Sequence, residues 1–273
     1  MDQFLIIFFS YAGSILPWVV IGSAVSYVVD RAVDVKLIHR VLGKINLRSI
    51  FTAQILGMVS PLSIMSALPI TGELVRLGAQ PLMLVSFLIA ERAYDLQSFF
   101  IISNLFGMKI AILNALVIFI SLVSTAWIFR KEKMKMSGQN GKKSGNFWKD
   151  QLRTLLVVLL GITIGALLRI AIPLTGFGHI MSSWLGGLLT GLTLGFGLYF
   201  GTILGNYPVA KSLADLGMAP VGTMVFLSVS PIFNLVIILL FFSAVKPKYI
   251  AKMIGIYTLI SLILSIIVSG FIP

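Results

Sequence analysis

The sequence predicts an all-α polytopic membrane protein made of two inverted repeats, each with three spanning helices and one broken-helix or re-entrant hairpin, about eight apolar segments in all. Three observations predict it. Hydrophobic residues make up 58% of the 273 positions and charged residues 11%, whereas a soluble domain carries roughly a quarter charged residues to cover its surface. Several apolar runs reach the roughly 20 residues that a bilayer crossing needs. A pattern of prolines and glycines also recurs in both halves of the chain.

The apolar runs follow in order. Phe4–Val29 comes first, after a single charge at Asp2. It is too long for a cleavable signal peptide and lacks the basic start of one, so it reads as a membrane anchor. The other uninterrupted candidates are Leu82–Leu105, Ile110–Phe129, Leu155–Ile172, Ala219–Val245 and Met253–Ile272. Two further stretches are broken: Ser49–Gln80 by Pro61 and Pro69, and Leu185–Met218 by several glycines and Pro208. Proline inside a helix removes a backbone donor and clashes with the preceding turn, so these read as discontinuous or re-entrant segments. Between the first run and the first broken stretch, residues 30–47 carry apolar side chains at helical spacing among charges, as expected of a helix along the inner interface.

The charge balance is +12, from 21 Lys plus Arg against 9 Asp plus Glu. The basic residues flank apolar segments, which the positive-inside rule explains without a nucleic-acid partner; the bilayer is the expected partner. Loops 30–48, 130–153 (eight basic residues) and 246–252 hold most of the positive charge. If each broken stretch enters and leaves by one face, all three loops are cytoplasmic and both termini lie outside. The polar, glycine-containing loop 130–153 then links a first repeat, 1–129, to a second, 154–273. The chain has no cysteine, which excludes disulfides, thiolate metal sites and a cysteine nucleophile. It contains no His-Glu-x-x-His, and neither His39 nor His179 sits in a hydrolase arrangement, so the expectation is a non-enzyme without cofactor or resident metal.

A shift of 139 positions brings the halves into register without a gap: Pro69, Leu74, Gly78 and Pro81 meet Pro208, Leu213, Gly217 and Pro220, and Asp95 meets Asn234. The shared grammar is a proline-led helix, a glycine stop and a second proline that opens the next helix. Three crossings plus a hairpin per half would make the repeats inverted, as in secondary transporters whose sites lie where the broken segments meet. A repeat kept only for packing is the alternative.

Two segments carry a family resemblance: Leu56 to Ile70, with Ser60-Pro61 and Leu68-Pro69, and Pro208-Val209 followed by Ser230-Pro231-Ile232-Phe233-Asn234. In these the chain resembles the predicted-permease family that includes organoarsenical exporters of ArsP type and the YraQ-like proteins. The resemblance implies a polytopic inner-membrane permease or exporter. Many members have a Cys-Ser-Cys-type sequence after the first proline where this chain has Ser63-Ile64-Met65, so thiolate binding of trivalent arsenic is not implied here.

Charged side chains within a span cost about 2.5 to 3.5 kcal/mol each on insertion scales and face the bundle interior, where they mark pathways. Glu91, Arg92 and Asp95 fall in the middle of Leu82–Leu105. Four residues apart, Glu91 and Asp95 would share one helical face and could hold a proton or cation between them. A structural ion pair with Arg92 is the other reading. Helix starts at Pro69 and Pro208 would aim backbone N–H groups inward, which makes Ser63, Met65, Ser66, Asn206 and Tyr207 the candidate substrate residues; the alternative for Ser and Asn there is backbone capping alone. Glu73, Arg76, Lys211 and Asp215 are candidate gate or ion-pair residues near the hairpin mouths, and Arg169 is expected to snorkel from a span end. The expected function is therefore alternating-access transport of a small solute, with coupling to protons through Glu91 and Asp95. A scaffold or accessory subunit and an ion channel are the competing classes.

Overall fold

The computed structural model describes residues 2–32, 41–59, 74–75, 78–134, 147–171, 177–198, 203–234, 238, 241–242 and 245–272. Among them the architecture is helical: α1 Asp2–Ala32, α2 Leu47–Val59, α3 Pro81–Ala93, α4 Leu96–Phe106, α5 Met108–Ile128, α6 Phe147–Ala171, α7 Phe177–Ser182, α8 Trp184–Gly197, α9 Asn206–Asp215, α10 Pro220–Val229 and α11 Pro247–Ser269. Short 3-10 turns lie at Phe129–Lys131 and Ile203–Gly205. Gln3–Ile21 of α1, Met108–Lys131 around α5 and Pro247–Ser269 are each long and apolar enough to cross a bilayer, with mean hydropathies of 2.1, 2.2 and 2.2.

The helices are sorted as lipid demands. On α11 the outward face carries Leu259, Ile263 and Ile267, while Tyr257, Ser261, Ser265 and Ser269 are buried. On α5, Ile112, Leu116 and Ile120 face out and Asn114, Ser121 and Thr125 face in. Hydrocarbon solvates Leu and Ile as well as a protein core does, so small and hydroxyl-bearing residues are the ones that gain from helix contact. The buried hydroxyls of Ser121 and Thr125 donate to carbonyls one turn back, Val117 O and Ser121 O, each at 2.7 Å.

Two spans differ from the sequence expectation. Leu82–Leu105 is not one rod: it breaks at Tyr94–Asp95, both in extended conformation, between α3 and α4. The cause is local. The Asp95 carboxylate accepts from Ser98 N at 2.6 Å and Ser98 Oγ at 2.7 Å, and an Asp in this role satisfies the donors of a new first turn better than a continued helix does. Glu91 and Asp95 consequently do not share a helical face. Ala219–Val245 is likewise interrupted, since α10 stops at Val229 and the chain turns through Ser230–Phe233. Phe147–Arg153, expected in the linker, belongs to α6. Of the expected interfacial helix at 30–47, residues 33–40 lie outside the described residues, while Asp30–Ala32 end α1 and Leu47 opens α2.

The offset of 139 is visible in backbone hydrogen bonds as well as in sequence. Gly78 N bonds Val75 O at 3.0 Å and Ala79 N bonds Leu74 O at 2.9 Å; Gly217 N bonds Ala214 O at 2.9 Å and Met218 N bonds Leu213 O at 3.0 Å. Both glycines sit at positive φ, 105° and 93°, in the Schellman-type helix stop that favours glycine. The next residue pairs also correspond, with Gln80 N to Leu42 O at 2.8 Å and Ala219 N to Met181 O at 2.9 Å. Pro81 and Pro220 then open α3 and α10. α2 packs on α3 as α8 packs on α10, and counterparts meet across the molecule, α1 against α6 and α5 against α11.

Candidate functional site

The α3–α4 break places a polar group of residues in an otherwise apolar interior. Arg92, on the last turn of α3, is 8% exposed, Tyr94 4% and Ser98 0%. The first-turn region of α4 has neighbours from the second half of the chain, because α4 packs on α9 and on the 3-10 turn at Ile203–Gly205. Asn206 and Tyr207, the first residues of α9, are buried there. Tyr207 lies beside Ser98 and within the electrostatic field of Asp95, Tyr94 and Arg92. Arg92 in turn acts on Asp95. Residues from both halves thus converge on one buried spot.

That spot has hydrogen-bonding capacity left over. Tyr94 Oη and Asn206 Oδ1 are buried and have no hydrogen-bond partner among the described residues, and Tyr207 Oη, equally buried, has Ser98 beside it. A buried polar group left unsatisfied costs about 1 to 3 kcal/mol, and such groups are ordinarily met by water or a ligand. Two hydroxyls that can donate or accept and the Asp95 carboxylate make a set that fits a small polar solute or a proton-bearing group.

Glycines allow α9 to sit this deep. A Cβ at Gly165 of α6 would lie 2.8 Å from Pro208 O, and one at Gly161 would overlap Gly205. Pro208 falls in the first turn of α9, where its missing N–H leaves no intrahelical bond unmade. Ser212 Oγ donates to Gly165 O at 2.5 Å and completes the seam.

The far end of α9 carries the charges. Asp215 pairs with Arg169 of α6 and, at 2.6 Å, with Lys211 one turn back on α9. Tyr11 of α1 donates to Asp215 Oδ2 at 3.3 Å and lies 3.0 Å from Ser212 Oγ. Three helices, α1, α6 and α9, are tied at this point. Arg169 is therefore not simply a snorkelling residue: its guanidinium turns to Asp215, since a charge at the edge of an apolar layer gains more from a paired carboxylate than from an unpaired reach to water.

Of the residues singled out from sequence, Tyr207, Arg92 and Asp95 come together, and Asn206 is buried next to Tyr207 at the start of α9. Glu91 lies half-buried on the last turn of α3. Asn234, buried at 3% exposure, donates to Leu198 O at the end of α8. Pro208 falls in the first turn of α9, and Gly217 and Pro220 form the stop and restart after it. Pro61, Ser63, Met65, Ser66, Pro69, Glu73 and Arg76 lie outside the described residues. Sequence reasoning missed Tyr94, Ser98, Tyr11, Ser212 and the pairing of Arg169. An Asp-x-x-Ser cap signal at Asp95–Ser98 was legible. Nothing local marks Tyr11, whose partner Ser212 is 201 positions away.

Among known families, ArsP_1, described as a predicted permease, matches residues 1–144. Comparison with curated proteins and with solved structures gives no match.

Proposed function

The chain belongs to the ArsP_1 family of predicted permeases, and from that membership we propose that it moves a small polar solute by alternating access of its two halves around the spot where the α3–α4 break meets the start of α9. Membership makes it a membrane transporter in general; the site and mechanism are our reading. One observation carries it. Tyr94 and Tyr207, from different halves, lie buried by Asp95, and Tyr94 Oη and, at the start of α9, Asn206 Oδ1 have no hydrogen-bond partner among the described residues. A seam between two repeats is where alternating-access transporters hold their substrate.

The repeats would be inverted. In this reading α1, the α3–α4 pair and α5 are the three crossings, and α2 and α3 start from the same face. The second half then begins on the opposite face, and the basic loops at 30–48, 130–153 and 246–252 share the cytoplasmic side of a cell membrane. Asp95 and Glu91 are the candidate proton carriers, with Arg92 tuning the charge of the site. Ser63, Met65 and Ser66 would complete the site from the first hairpin. Glu73, Arg76, Lys211 and Asp215 would govern its mouths.

A ligand-stabilisation screen with oxyanions, metal ions and small organic acids identifies a solute that raises the thermal midpoint of the purified protein. Asn206→Ala and Tyr207→Phe are then expected to weaken its binding by about tenfold or more, the loss of one buried hydrogen bond. Unchanged affinity in both folded variants removes the site. For coupling, reconstituted Glu91→Gln and Asp95→Asn proteins are compared in uptake driven by a pH gradient. The expected result is loss of the gradient dependence in at least one, and its persistence in both removes proton coupling.

A further inference from the structure

A second group of polar side chains, on helices other than those of the Asp95 site, lies where α5, α10 and α11 meet. Asn114 of α5 and Ser228 of α10 are fully buried, as are Tyr257 and Ser261 near the middle of α11. They form one connected group. Asn114 Nδ2 donates to Ser228 Oγ at 2.8 Å, Tyr257 Oη donates to Ser228 O at 2.7 Å, and Ser261 lies beside Tyr257 Oη. Asn114 Oδ1 has no hydrogen-bond partner among the described residues, nor has Ser265 Oγ one turn beyond Ser261. Ser121 and Thr125 of α5 differ, since their hydroxyls are spent on carbonyls of their own helix.

The group sits at the C-terminal end of a broken helix. α10 stops at Val229. Leu227 O meets no N–H four residues on, because that residue is Pro231, and Ile232 N turns to Val229 O at 3.2 Å, which leaves Ser228 O to Tyr257. Such an end carries partial negative charge, and the interrupted helices of transporters hold cations there through freed carbonyls. We propose that this junction binds an exchangeable monovalent metal cation such as Na+, with Asn114 Oδ1 and the hydroxyl oxygens of Ser228 and Ser261 as its ligands. An uncharged, all-oxygen set lacks the thiolate or imidazole that transition metals take and the carboxylates that hold Ca2+. An anion would face the negative end of α10. Asn114 belongs to the first half and the other ligands to the second, so the cation ties the two halves together.

Thermal unfolding of the purified full-length protein in NaCl, KCl and choline chloride at one ionic strength tests this. Na+ or K+ is expected to raise the midpoint over choline, saturably, as binding to the native state requires. Asn114→Ala is expected to weaken the apparent cation affinity at least tenfold; if that variant does not fold, Ser261→Ala is read in its place. Ser121→Ala, whose hydroxyl is already spent on Val117 O, keeps the wild-type response. The inference is overturned if the midpoints in the three salts coincide, the result for a water molecule or an empty junction, or if Asn114→Ala and Ser261→Ala both respond as wild type. It is equally overturned if Asp95→Asn alone abolishes the response, which assigns the cation to the other polar site. Failure here leaves the solute site standing, because that site is read through Asn206→Ala and Tyr207→Phe.

Discussion

Asp95 has two roles that substitution can separate. Its Oδ1 holds the first turn of α4 through Ser98 N and Oγ, and its charge faces Tyr207 and Arg92. Asp95→Asn keeps an acceptor oxygen, so a thermal-unfolding midpoint close to wild type is expected. Asp95→Ala removes the cap and is expected to cost about 1 kcal/mol. An Asn loss as large as the Ala loss would mean that the charge, not the cap, holds the helix. At the other end of the site, Asp215 faces two cations, Arg169 and Lys211. Asp215→Ala leaves them facing each other, whereas Lys211→Ala leaves the Arg169 pair intact. The side chains are partly exposed, at 33% for Arg169, 28% for Lys211 and 23% for Asp215, so the Asp215→Ala cost is on the order of 1 kcal/mol and the Lys211→Ala cost smaller, read by the same unfolding assay. The candidate residues Asn206, Tyr207 and Asp95 were legible because intramembrane polar groups stand out against Leu and Ile. Tyr94 and Tyr11 were not, because tyrosine is also an ordinary membrane residue and only their neighbours give them a role.

At the scale of elements, glycine and proline set where helices stop and how closely they approach. Gly217 has open space around its Cα but a φ of 93°, so Gly217→Ala isolates backbone strain; about 1 to 2 kcal/mol of destabilisation is expected. Gly165 is the reverse case, a helical glycine whose added side chain would run into Pro208 O. Gly165→Leu is therefore expected to push α9 off α6, lowering the thermal midpoint and weakening any ligand held by Asn206 and Tyr207. A Gly165→Leu protein that binds as wild type would mean that the seam does not position those residues. The sequence made the Pro-and-Gly grammar of Gly78–Pro81 and Gly217–Pro220 plain, because φ restriction is a property of the residue itself. It hid the break at Tyr94–Asp95 inside an apolar run, since Asp95 reads equally as a mid-span charge and as a cap until Ser98 is seen to bond it.

For the molecule as a whole, the absence of cysteine makes sidedness easy to measure. Single substitutions Ser137→Cys and Ser182→Cys place one thiol in the central basic loop and one at the end of α7. On intact cells a membrane-impermeant maleimide is expected to label Cys at 182 directly and Cys at 137 only after permeabilisation; the reverse pattern would overturn the proposed orientation. The amino-acid string alone put this chain in a bilayer, marked the helix stops at Gly78 and Gly217, and showed a proline-and-glycine pattern recurring at an offset of 139. Those properties depend on residue type and spacing, which a linear string records. Packing settled which elements touch, α1 with α6 and α5 with α11, and brought Tyr207 to the Asp95 break. It also decided that Arg169 and Tyr11 close on Asp215. Such contacts join residues far apart in the chain, and in hydrocarbon they are selected by shape and hydrogen-bond satisfaction rather than by a hydrophobic pattern that sequence could display.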